Sequence, residues 1–423
     1  MAKAEKKARR ASNTPERGAF NPRYAVLFFG IGLLVSVGFQ WAFTSHAPAR
    51  NEPGGAESTL LDTPSRAKGA CAHPWGDLEI IPLVLERPNE SLDAGTTPTP
   101  EIRWAFPNYS VASLTEFIGS CDLSATERST LLDTNRWQPS TNGWYVFPPL
   151  ELVRELSERA RAKLYAVLAR SAQNPQHYPF VCREDGFDEL LEGCELSSER
   201  VQMVRKLCYR RNGLLYFSDG QLFELLTSSN ETRCLFRTLL RVPTMLVKLK
   251  VNADSDVAQL AEYWGVGGRA GDLKPLLQSL ARKPGGASIN ISHFLPPLPR
   301  LCLYTYPPPT NGPRRDCFWT SFTFFGERPG YKLGDTRYAS SLLDTDYVRW
   351  HGEKRFGDVL ILVESGVAAH ACVYIADDIY YTKNGTDPNQ PWVLMRMDDL
   401  KVQYASEQPQ EWRVFRKKSS QAL

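Results

Sequence analysis

Asp316-Cys317-Phe318-Trp319-Thr320-Ser321-Phe322-Thr323-Phe324-Phe325 is the stretch on which the reading of this chain turns. Pro313 stands shortly before it and Gly326 stops it, so the spacing predicts a short helix opening at Cys317, with Phe318, Phe322 and Phe325 on an apolar face. A thiol at a helix N-terminus gains from the unpaired N–H groups and the dipole, which favour the anion. Arg314 and Arg315 add positive charge beside it. Downstream, 356–363, 369–375, 379–382, 392–395 and 412–415 alternate and are separated by turn residues, which predicts successive strands. One helix followed by an antiparallel meander defines an α+β arrangement, the cysteine helix packed on the sheet.

A thiol nucleophile needs a base, and the base needs a partner on its second nitrogen. His370 opens the strand 369–375, and the chain turns back at Asp377-Asp378. Thr382 and Asn384 share the parity of His370 and return beside it, Thr382 by count and Asn384 by its amide oxygen. The expected catalytic set is therefore Cys317 as nucleophile, His370 as base and Asn384 as orienting residue, the sulfur facing the ring across a groove open to solvent. His351, in a loop beside Trp350, is the competing base. A plainer reading makes Cys317 a buried or bridged cysteine, with Cys372 as the bridging partner.

Upstream, Tyr24 to Phe43 is 20 residues with only Ser36 and Gln40 clearly polar, preceded by seven basic residues. This predicts a signal-anchor helix over 24–43 behind a basic cytoplasmic tail, 1–23, with the bulk of the chain outside the cytoplasm. Residues 44–70 read as a flexible linker. Residues 71–284 read as a mostly helical module, with a capping box at Ser124-x-x-Glu127 and a left-handed helix stop at Asn212-Gly213. Gly265-Val-Gly-Gly268 lacks both the preceding strand and the Lys-Ser/Thr of a phosphate loop and reads as a turn. In an oxidising compartment eight of the nine cysteines could pair, leaving Cys317 free. A net charge of +3 with dispersed basic residues argues against nucleic acid, and no His/Cys spacing suits a metal.

The order Asp-Cys at a helix start, Gly357-Asp358-Val359 entering a strand, then His370-x-x-x-Tyr374-Ile375, resembles the NlpC/P60 cysteine peptidases, a papain-like superfamily to which the CHAP amidases are near relatives. The resemblance covers residues from about 301 to 400, within a C-terminal domain placed at 285–423. It implies a cysteine hydrolase that cleaves an amide bond in cell-wall peptide or a related peptidoglycan-like substrate without metal or organic cofactor, with acyl transfer as a variant. It also implies that Tyr306 lines the substrate cleft. The family usually follows its cysteine with Ser-Gly, where this chain has Phe318-Trp319, and has glycines where this chain has Pro307 to Pro309. The alternative function is a catalytically silent envelope scaffold that keeps the fold for binding.

Overall fold

The computed structural model describes residues 38–40, 73–87, 101–308, 315–326, 333, 336–406 and 408–418. Two large hydrophobic cores and a smaller one organise them, the smaller gathering side chains from Val242 to Leu400 on the other face of the C-terminal sheet. The first gathers side chains from Ile102 to Leu239, and the second gathers Met245 to Leu303 together with Cys317 to Phe415. Residues 242–284, assigned from sequence to the preceding module, thus pack with the C-terminal sheet.

The second core is built on two antiparallel sheets. One is three-stranded, ordered β3-β2-β1 from β1 (Asp77–Leu85), β2 (Val242–Val251) and β3 (Ala287–Asn290). The helices α1 (Val257–Trp264) and α2 (Ala270–Ala281) lie between β2 and β3 in the chain and fix Trp264, fully buried, against Phe294 and Phe356. The other sheet has six strands: β4 (Tyr347–Trp350), β5 (Val359–Glu364), β6 (Val367–Ala376), β7 (Ile379–Lys383), β8 (Trp392–Arg396) and β9 (Gln410–Lys417), ordered β4-β9-β5-β6-β7-β8. Strands β5 to β8 and β9 are those read from the alternation. The helix α3 (Cys317–Phe322) packs on β6 and β7 as expected, and α4 (Met397–Gln403) follows β8.

Asp358 explains why Gly-Asp-Val precedes β5. Its carboxylate takes a two-pronged bond from Arg416 of β9, at 2.8 and 2.7 Å, and accepts from the Arg355 N–H at 2.8 Å. Gly357 has φ +90°, a conformation that suits glycine, and a Cβ there would lie 2.3 Å from the Phe325 ring. The turn into the sheet is thereby locked against the end of the cysteine helix.

Three readings are corrected. Gly38–Gln40, inside the stretch read as a membrane-crossing helix, is a strand paired in parallel with Phe180–Cys182. A strand interrupts the continuous helix of ~20 residues that a span requires, and no helix among the described residues is long and apolar enough to cross a membrane. Residues 1–37 and 41–72 otherwise lie outside the described residues, and the expected external location loses its support with the span. The module upstream is helical for the most part but carries more sheet than the sequence announces: Trp104–Pro107, Trp137–Ser140 and Gly143–Val146 form one sheet, and Phe180–Cys182, Cys208–Arg211 and Leu214–Phe217 belong to another. Strands of three or four residues are too short for alternation to declare itself. Asn212-Gly213 is accordingly a hairpin turn, not a helix stop: Arg211 pairs with Leu214, and both turn residues have positive φ, 51° and 74°. Pro297–Cys302 is a helix, and Leu303 after it bridges Trp392. The capping box at Ser124 and Glu127 forms as read, with bonds of 3.2 and 2.7 Å.

Candidate active site

Asp316 caps α3: its carboxylate accepts from the Trp319 N–H at 2.8 Å and its carbonyl from the Thr320 N–H at 3.0 Å. The Thr320 hydroxyl accepts from the Trp392 indole N–H at 2.9 Å, tying the helix to β8. The Arg315 guanidinium lies over the Trp319 ring, 5.0 Å from its centroid, and Arg314 lies outside the described residues. This anchoring places the Cys317 sulfur beside β6, where the backbone N–H of Ala371, the residue after His370, favours the thiolate.

The local electrostatics differ from those expected. Cys317 is only 4% exposed, and burial, followed by the adjacent Asp316 carboxylate, pushes its thiol up to about 12. The Ala371 and Phe318 N–H groups and the buried Lys383 pull the other way without prevailing. A helix of six residues has too little dipole to offset full desolvation. His370 is also fully buried, and desolvation pulls its imidazole down to about 3. The resting pair is therefore neutral thiol and neutral imidazole, closed from solvent, instead of a low-pKa thiolate in an open groove.

His370 Nε2 is 3.0 Å from the Thr382 hydroxyl, whereas Nδ1 has no hydrogen-bond partner. The ring stacks on Tyr404, centroids 4.1 Å apart and planes 23° from parallel, and meets the edge of Trp412 at 6.2 Å. Along β6, Ala371, Val373 and Ile375 face the core that holds Cys317, while Cys372 and Tyr374 face the opposite side with Leu400. His370 has the parity of Cys372, so sulfur and ring come to β6 from its two sides. The β6–β7 ladder runs only from Val373/Tyr381 to Ala376/Ile379, and the sulfur reaches the strand in the gap before it.

Thr382, not Asn384, holds the ring. The Asn384 side-chain amide donates to Gln403 Oε1 at 2.9 Å and to Met395 Sδ at 3.3 Å, and its oxygen accepts from the Tyr404 hydroxyl at 3.5 Å. Tyr306 stands apart: its phenol, pushed up to about 12 by burial, has Arg87 and Glu86 as charged neighbours and makes no hydrogen bond. Cys372 lies close enough to Cys317 to feel its charge, yet no bridge joins them, and all eight described cysteines are free thiols. His351 is exposed in a loop. Tyr404 and Lys383 were not singled out from sequence. Tyr404 ends the helical period of 397–403 and could have been found as its inward residue, whereas nothing in Lys383 distinguishes it from a surface lysine.

Comparison of the chain with protein-family models, with curated proteins and with solved structures finds no match.

Proposed function

We propose that Cys317, His370 and Thr382 form the active site of a cysteine acyl-transfer enzyme that rests closed, with hydrolysis of an amide bond in a cell-wall peptide or related substrate as its reaction. One observation carries this reading: His370 Nδ1 is buried with no partner while Nε2 is held by Thr382. Leaving a buried polar atom unpaired costs about 1–3 kcal/mol, and such an atom calls for an explanation. A nitrogen kept for an incoming proton supplies one.

In this reading β6 yields beside the β6–β7 gap when substrate enters, because ring and sulfur rest on its two sides and turning the ring alone does not carry Nδ1 across the backbone. The Cys317 sulfur attacks the substrate carbonyl carbon as its proton passes to Nδ1. The developing oxyanion is met by the backbone N–H of Cys317, since those of Trp319 and Thr320 are taken by Asp316. Collapse breaks the C–N bond, the leaving amine takes the proton from His370, and an acyl thioester remains. Water then attacks the thioester, with His370 accepting and returning its proton; an amine or hydroxyl acceptor in place of water gives transfer. The resemblance to NlpC/P60 enzymes supports the assignment of Cys317 and His370, and Thr382 takes the third role in place of Asn384.

The burial of the thiol favours a second reading, a binding scaffold with a silent site. Treatment with p-nitrophenyl acetate at pH 7, followed by peptide mapping, separates the two. The enzyme reading expects acetyl on Cys317, absent in Cys317→Ala and slowed about 100-fold in His370→Gln. A folded protein that leaves Cys317 unmodified, while the denatured chain reacts there, supports the scaffold.

A further inference from the structure

The helix α3 and the residue that closes it carry three hydroxyls, and two of them bond back along the helix. Thr320 donates to the Asp316 carbonyl and Thr323 to the Trp319 carbonyl, each at 2.7 Å, the local bond that a hydroxyl in a helix commonly makes. For Ser321 the equivalent acceptor is the Cys317 carbonyl, and that bond is absent. Ser321 is 1% exposed, and its hydroxyl has no hydrogen-bond partner among the described residues. Among those residues α3 and β6 each carry one such unpaired buried atom, Ser321 Oγ and His370 Nδ1. A buried hydroxyl without a partner lowers stability, so its presence asks for a reason.

Position supplies one. Residues four apart lie on one face of a helix, ~5–6 Å apart at Cβ, and their side chains lean towards the N-terminus. Ser321 therefore leans back towards Cys317, on a helix packed against β6 and β7. The sulfur is where a donor is wanted. Cys317 is closed from solvent, the Asp316 carboxylate beside it disfavours an anion, and the backbone offers few N–H groups that favour one. A hydrogen bond to an ionised group is also stronger than one between neutral groups.

We infer that Ser321 is a catalytic residue of this site: when β6 yields, its hydroxyl donates to the Cys317 sulfur as the thiol proton passes to His370 Nδ1. Ser321 keeps its own proton throughout, and its bond is released when the sulfur lone pair forms the thioester. This role rests on the catalytic reading given above, whereas the unpaired hydroxyl of the resting protein does not.

The test follows thermal unfolding and Cys317 acetylation by p-nitrophenyl acetate in the full chain and in its Ser321→Ala variant. Removing a hydroxyl that has no partner strands nothing, so Ser321→Ala should melt at or above the temperature of the unsubstituted protein. Its acetylation at pH 7 should nevertheless slow by about threefold or more. A hydrogen bond to an anion changes the thiolate population about tenfold, and the greater nucleophilicity of a more basic sulfur returns part of that. The same loss should persist in the His370→Gln background, where the rising pH profile moves to higher pH by about half a unit or more. A lower melting temperature would show that the hydroxyl has a partner at rest, and a loss confined to the protein that keeps His370 would show that it acts on the ring instead of the sulfur. Either result overturns the assignment. Equal acetylation of the unsubstituted protein and Ser321→Ala rejects Ser321 alone. No acetylation of the unsubstituted protein rejects the catalytic reading and this role with it.

Discussion

His370 is the residue on which burial acts most plainly. Its imidazole sits near 3 in the folded protein against 6.5 for the free side chain, so between those values only the unfolded chain takes up the proton. The unfolded state then binds more protons, and stability must rise with pH across the window. The contribution is fully present above about pH 6.5 and is lost as pH falls towards 3, at up to ~1.4 kcal/mol per unit. Urea denaturation between pH 6.5 and 4 should show a slope about one proton shallower in His370→Gln than in the unsubstituted protein. Asp316, whose carboxyl is raised by burial, works with the opposite sign, which is why the difference between the two proteins is the quantity to measure. Thr382→Val removes the partner of Nε2 and should slow Cys317 acetylation about tenfold or more, whereas Asn384→Ala should leave that rate largely unchanged; mass spectrometry of the Cys317 peptide checks both. At this scale the sequence made Cys317, His370 and Thr382 visible through order and parity. It could not rank Thr382 against Asn384, because the choice depends on Gln403 and Met395, which compete for the Asn384 amide from another helix and strand.

Elements near the site owe their placement to pairs far apart in the chain. Asp358 and Arg416 are 58 residues apart, both almost fully buried, and their two-pronged bond joins the entry of β5 to β9. Arg416→Leu strands the Asp358 carboxylate in the interior and should cost about 3–5 kcal/mol in urea unfolding. Gly357-Asp358-Val359 was legible as a motif, but its arginine was not, since a lone arginine in an alternating strand reads as an outward residue. Strands β5 to β9 announced themselves through dense Val, Ile and Tyr alternation. In contrast, β4 and α4 passed unread: β4 has four residues, and α4 begins directly after β8 with no side-chain cap. The same lack of signal hid the short strands of the first core. Apolarity alone also could not tell a membrane span from a stretch that contributes the strand Gly38–Gln40.

At the scale of the whole molecule, two cores meet through a few contacts, such as the Asn212 amide donating to the Ala405 carbonyl at 3.2 Å and Val402 packing on the first core. Such a division need not unfold in one step. Leu164→Ala, at a fully buried site of the first core, should destabilise that unit by about 2–5 kcal/mol; calorimetry should show one transition moving while that of the second core stays in place. The closed candidate site straddles β6, with Cys317 in the second core and His370 on the face that carries Cys372, and the central claim is that sulfur and imidazole act as a unit. The pH dependence of Cys317 acetylation tests this most directly. With His370 as base, neutral throughout this range, the rate should be nearly flat from pH 5 to 8, while in His370→Gln it should climb about tenfold per unit as a bare thiol ionises. Coincident profiles, both climbing with pH, would show that the ring takes no part and contradict the account.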